Sequence, residues 1–183
     1  ILPCQPSLLC ARLLRRHRRV LLLGPSGSGK TTLAAQLAAE LTAGGRRVSC
    51  LAADPGSPGF GVPGAVCLGD WQEGAWSLRA MEALCSLDAA RFRLPLASAV
   101  ELLAREVGDW TLLVDAPGVV RGVAGAELLD ALVHAVEGYT CTWHTDLTDG
   151  LCIHALREIF AYLLGAMVFS RFFHPPSRSG HRM

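Results

Sequence analysis

The sequence has no C-x-x-C pair, no internal repeat, no low-complexity tract and almost no net charge, and each absence removes a class of protein. Seven cysteines, an odd number without paired spacing, argue against a disulfide framework and for a reducing compartment. A formal net charge of +1 makes no global case for nucleic acid, so such a partner must use a local patch. No charged-then-apolar leader opens the chain, and the expected location is cytoplasmic. The uncharged run 159–170, bracketed by Arg157, Glu158 and Arg171, is too short to span a bilayer, and no membrane association is expected. The chain opens on Ile1 rather than Met, as a fragment would. What is present is 183 residues, 51% of them hydrophobic, enough for one α/β domain with a sizeable core.

The chain is organised around residues 20–32, Val-Leu-Leu-Leu-Gly-Pro-Ser-Gly-Ser-Gly-Lys-Thr-Thr. An apolar run of strand type feeds a glycine-rich turn, and the turn opens a helix. Gly24, Gly29, Lys30 and Thr31 fill G-x-x-x-x-G-K-[ST], the phosphate-binding loop. Glycines let successive backbone N–H groups point inward at phosphate oxygens, and the helix adds the positive end of its dipole. Gly24, Pro25, Ser26, Gly27, Ser28, Gly29, Lys30, Thr31 and Thr32 are therefore the expected nucleotide contacts. Lys30 supplies a full charge over the β- and γ-phosphates, and the Thr31 hydroxyl is placed for Mg²⁺. The expected ligands are ATP or GTP with Mg²⁺. The fold class expected is α/β, a three-layer P-loop NTPase fold with a mostly parallel central sheet.

Taken in order, residues 7–19 read as a short basic helix before strand 20–23. Leu33, Leu37 and Leu41 then form one apolar stripe on a helix that Gly44-Gly45 stops. Residues 47–53 read as a strand ending at Asp54. In a strand–helix–strand unit the strands are parallel, so Asp54 falls on the sheet edge that carries the phosphate loop. Residues 55–64 are too rich in Gly and Pro for regular structure, and a long loop at that edge is more often functional than filler. Residues 66–68 and 71–78, turning near Glu73-Gly74, fit a small hairpin, and Pro95 fits the first turn of a helix reaching Glu106. Strand 110–114 delivers Asp115 to the same edge, as a second Mg²⁺ contact requires, and 127–136 reads as a helix.

Three segments together resemble the polynucleotide 5′-hydroxyl kinase family of RNA 3′-end and ribosomal RNA processing and its microbial relatives. They are the phosphate loop, the stretch Asp54-Pro55-Gly56-Ser57-Pro58-Gly59-Phe60-Gly61-Val62-Pro63-Gly64, and Val114-Asp115-Ala116-Pro117-Gly118-Val119-Val120-Arg121-Gly122. The second is similar to the family's D-P-G-Q-P-x-F-x-x-P-G, the third to its D-T-P-G-W-V-K-G. The resemblance covers residues 18–137. It implies transfer of a γ-phosphoryl group from ATP or GTP to the 5′-hydroxyl end of RNA or DNA. In that scheme Lys30 clamps phosphates, Thr31 and Asp115 handle Mg²⁺, and Asp54 accepts the hydroxyl proton. Arg121 stands where the family has a basic residue, which fits a phosphate contact or a surface salt bridge equally. Ser57 and Val119 depart from the family's glutamine and tryptophan, and its arginine-bearing lid is not found.

Past residue 138 the resemblance stops, and residues 139–183 are expected to form a tail outside the catalytic domain at 1–138. A truncation or a frameshift would explain the change. Cys141, His144, Cys152 and His154 can be drawn as a zinc site, but their spacing matches no common finger. Two other functions stand beside the kinase: a nucleotide-switched assembly factor with a protein partner, and an inactive copy that still binds nucleotide.

Overall fold

The computed structural model describes residues 18–119 and 122–136, together with the backbone of 139–142. Arg19–Leu23 (β1) leads through the glycine-rich turn into Lys30–Ala43 (α1) and then Val48–Ala52 (β2). A hairpin, Ala65–Gln72 (β3) and Ala75–Ala83 (β4), precedes Arg93–Arg105 (α2) and Thr111–Asp115 (β5). Gly122–Val136 (α3) and Tyr139–Thr142 (β6) complete the described elements. The sheet order is β4-β3-β2-β5-β1-β6. β2, β5, β1 and β6 run parallel, while the hairpin joins β2 antiparallel. This is the expected P-loop NTPase fold.

β1, β2 and β5 are apolar apart from Arg19, Ser49, Thr111 and Asp115, because both of their faces are covered. Val20, Leu22, Val48, Cys50 and Leu113 share a buried cluster with Leu33, Leu37 and Leu41 of α1. Side chains alternate across a strand, so Leu21, Leu51, Leu112 and Val114 face the other way, and they too are buried. Fully burying each such leucine contributes about 1.5–3 kcal/mol. Leu96, Val100 and Leu103 of α2 and Leu128 and Leu132 of α3 are buried as well. An ion pair from Arg93 to Glu127, 2.8 Å, joins these two helices.

The hairpin turns where expected: Glu73 and Gly74 both have positive φ, 51° and 86°, the conformation that matches the twist of a two-residue turn. Three expectations need correction. Arg19 belongs to β1 rather than to a basic lead-in helix, because it continues the pairing with β5; the rest of that helix, residues 1–17, lies outside the described residues. α3 begins at Gly122, five residues before Glu127, since Gly-Val-Ala-Gly-Ala carries no periodic signal of its own. The sheet also runs past residue 138, because Tyr139–Thr142 pairs in parallel with Val20–Leu23 as an edge strand. The remainder of the tail, the drawn zinc ligands apart from Cys141, and Arg121 lie outside the described residues. Among the described residues, no three His, Cys, Asp or Glu side chains form a metal-binding group, and no helix is long and apolar enough to cross a membrane.

Candidate functional site

Parallel pairing brings the ends of β1, β2 and β5 to one edge. In register, Leu22 of β1 and Ala52 of β2 both lie opposite Asp115, the last residue of β5. Ala53 N donates to Asp115 O at 3.0 Å, and Ala116 N to Leu22 O at 3.3 Å. Asp54 follows two residues after β2 and Gly24 one residue after β1. A cleft of about 290 Å³ opens there, lined by Ser26, Gly27, Gly29, Lys30, Thr31, Thr32, Asp54, Ser57, Asp115 and Ala116. Lys30, Thr31, Asp54 and Asp115 therefore meet in one place, while Gly24, Pro25 and Ser28 of the expected contacts do not line the cleft. A second groove of about 410 Å³ beside the hairpin has Cys85 as its one titratable lining side chain, so the smaller cleft is the candidate site.

The loop is built to receive an anion. Gly29 caps α1 with φ 85° and offers no side-chain hydrogen bond to the first turn, which leaves helix N–H groups for a ligand. Lys30, the only lysine of the sequence, is buried and donates from Nζ to Gly24 O and Pro25 O, each at 3.0 Å. Those carbonyls hold the ammonium inside the loop. Among the described residues, Ser28 Oγ is buried with no hydrogen-bond partner. Gly118 lies against the loop so closely that a Cβ there would stand 2.6 Å from Ser26 N.

Thr31 Oγ1 donates to Asp115 Oδ2 at 2.5 Å, a short charge-assisted bond. Burial pushes the Asp115 carboxyl upward and the nearby Asp54 carboxylate adds to this, while the Thr31 hydrogen bond and the Lys30 charge oppose it. Cys50, buried behind Asp115, has its thiol pushed well up, first by burial and then by that carboxylate. A hydroxyl and a carboxylate facing each other beside the phosphate loop form a donor set of the hard oxygen type that suits Mg²⁺. Uncapped amides, the caged ammonium and the orphaned Ser28 hydroxyl fit a nucleotide's phosphates.

Asp54 roots the next loop. Its Oδ1 accepts from Gly56 N at 3.1 Å, and its carbonyl accepts from Ser57 N at 3.3 Å. Gly64 N donates to Pro55 O at 2.9 Å, closing the loop at its neck as in an Ω-loop. At its tip Phe60 stacks on Trp76, centroids 5.5 Å apart, and Trp76 meets Trp71 edge-on at 4.8 Å. Sequence reasoning singled out this loop but not its contacts, because a stacking partner in the hairpin leaves no spacing signal.

The family model described as AAA domain matches residues 2–116. Among curated protein sequences none matches the chain. Solved structures do. One, a complex of wild-type Clp1p with residues 454–563 of Pcf11p, aligns over 88% of this chain and 45% of its own, at 17% identity and a TM-score of 0.62. Another concerns the extended interface between Pcf11p and Clp1p and ATP loss in a glycine-to-arginine mutant; it aligns over 91% of this chain and 46% of its own, at 17% identity and a TM-score of 0.59. At that identity the likeness is one of fold, and the chain spans less than half the length of the structures it matches.

Proposed function

The chain belongs to the AAA domain family, and from that premise we propose that it transfers the γ-phosphoryl group of ATP or GTP to the 5′-hydroxyl end of RNA or DNA. The observation that carries this reading is Asp54, which shares the cleft with Lys30, Thr31 and Asp115. Among the described residues its carboxylate accepts a single hydrogen bond, from Gly56 N, and its remaining lone pairs are available to an acceptor hydroxyl. Nucleotide binding alone has no need of that second carboxylate.

In this mechanism the loop amides and Lys30 hold the β- and γ-phosphates and neutralise charge as it shifts to the leaving diphosphate. Thr31 and Asp115 would hold Mg²⁺, which supplies charge neutralisation on the phosphate oxygens when bound. The acceptor 5′ oxygen forms a bond to phosphorus as the bridging P–O bond breaks, and its proton passes to Asp54. Because the transition state is loose, placement and charge carry most of the rate and the base a smaller share.

A second reading, a nucleotide-switched assembly factor, is favoured by the contact of the 55–64 loop with Thr31 through Gly59. Its protein partner would parallel the pairing of Clp1p with Pcf11p in the structures of similar fold. One experiment separates the two: incubate the protein with γ-labelled ATP or GTP, Mg²⁺ and RNA or DNA oligonucleotides bearing 5′-hydroxyl or 5′-phosphate ends. The kinase labels the hydroxyl ends only. Nucleotide binding or hydrolysis without label on any oligonucleotide favours the switch, and binding with neither points to the inactive copy.

A further inference from the structure

Nine of the described glycines have positive φ, and Gly59 is not among them. Its backbone is open to any residue, so glycine must serve there for space. A Cβ on Gly59 would fall well inside 3.0 Å of Thr31 Cγ2 and 3.7 Å from Asp115 Oδ2. The loop that begins at Asp54 thus presses its bare backbone on the threonine methyl. On the same Cβ as that methyl, Oγ1 donates to Asp115. We propose that Gly59 is a positioning residue: it holds the Thr31 rotamer that aims the hydroxyl at Asp115, and so ties the acceptor-side loop to the metal-binding pair. This rests on the reading that Thr31 and Asp115 serve Mg²⁺ and nucleotide.

The constraint is steric. The loop cannot retreat freely, because its neck is closed by the Gly64 N to Pro55 O bond and its tip is held by Phe60 on Trp76. Phe60 also fits over Gly69, where an added Cβ would stand 2.6 Å from its ring. A methyl placed on residue 59 must therefore be absorbed by Thr31. Threonine is stiff about χ1, and any rotation that swings Cγ2 away carries Oγ1 off Asp115 as well. A switch of rotamer at this residue is thus a change in the metal site.

The test is an exchange of methyl groups. Gly59→Ala is made in the wild-type protein and again in Thr31→Ser protein, which keeps the hydroxyl but lacks Cγ2. For all four proteins, ATP affinity is measured as a function of Mg²⁺ concentration, alongside the melting temperature without ligand. In the wild-type background Gly59→Ala raises the Mg²⁺ needed for half-maximal binding by about tenfold and leaves Mg²⁺-free ATP binding as it was. In the Thr31→Ser background the same substitution has little further effect, whatever Thr31→Ser does alone, because the atom it strikes is gone. If Gly59→Ala protein fails to fold, the double variant folds. Equal penalties in the two backgrounds, or no penalty in either, overturn the proposal. Wild-type protein that binds no Mg²⁺-nucleotide overturns the functional reading instead, and the melting temperatures still decide whether Gly59 holds Thr31.

Discussion

Asp115 and Asp70 are both buried, at opposite edges of one sheet, and their surroundings differ in kind. Asp70, at the amino edge, is fully engaged. Ser49 Oγ donates to it at 2.7 Å, and Arg79 Nη1 lies 3.1 and 3.3 Å from its two oxygens. Arg79 in turn donates to Glu106 O, and its guanidinium stands 5.6 Å from the Trp110 ring centre, with Arg47 at 5.1 Å. Asp115, at the carboxyl edge, has the Thr31 hydroxyl, while the nearby ammonium of Lys30 is turned to backbone carbonyls. A buried charge costs stability unless it is paired and hydrogen-bonded. The amino edge meets that cost within the chain, and the carboxyl edge leaves it to a ligand.

Substitutions can break this contrast, starting with the largest effect. Lys30→Ala abolishes turnover and weakens ATP binding by about 10- to 100-fold, the worth of hydrogen bonds to a charged group, as equilibrium binding and label transfer would show. Equal nucleotide affinity in the two proteins would remove the basis for placing the nucleotide here. Asp54→Asn keeps the side chain's shape and Mg²⁺-ATP affinity but lowers transfer to 5′-hydroxyl ends by about 10²- to 10⁴-fold. Unchanged transfer would show that Asp54 is not the base, and lost Mg²⁺-ATP affinity would move it into the metal site.

At the other edge the effect moves to stability. Asp70→Ala strips Arg79 and Ser49 of their shared acceptor and destabilises by about 2–3 kcal/mol, or about 5 °C or more in melting temperature. Its ATP affinity should not change, and a change would mean that the two edges are coupled. The smallest effect has the opposite sign. The folded-state pKa of Asp115 is raised, chiefly by burial, so its ionisation weakens the fold as pH rises through that pKa. Asp115→Asn should therefore raise the melting temperature of the nucleotide- and metal-free protein at neutral pH, by about 2–4 °C. The gain should shrink as the pH falls into the carboxylate range. A drop in melting temperature at neutral pH would mean that the Thr31 bond and Lys30 outweigh burial.

The phosphate loop, Asp54 and Asp115 were legible in the sequence because each depends on local order: an apolar strand, then a polar residue at its end. The parallel arrangement of the strands followed from chain connectivity. The Glu73-Gly74 turn was legible for a similar reason, as the chain must reverse between two runs of strand type. By contrast, the Asp70 cluster joins Ser49, Arg79 and the turn that carries Glu106 and Trp110 from three separate segments. Nothing in the spacing of those residues distinguishes them from ordinary surface charges. The start of α3 and the strand β6 were also hidden, since partners elsewhere in the fold order segments whose own patterns are weak.

The sequence by itself thus determined which residues form the phosphate loop and which carboxylates end the strands beside it, because phosphate binding needs particular side chains at fixed short intervals. Tertiary structure alone decided how they are held. The direct bond from Thr31 to Asp115, the close approach of Gly59 to the Thr31 methyl and the clamp of Phe60 on Trp76 each join residues far apart in the chain. Close approach of that kind is set by how strands register and helices pack, and one residue's identity cannot announce the neighbour that packing will bring against it.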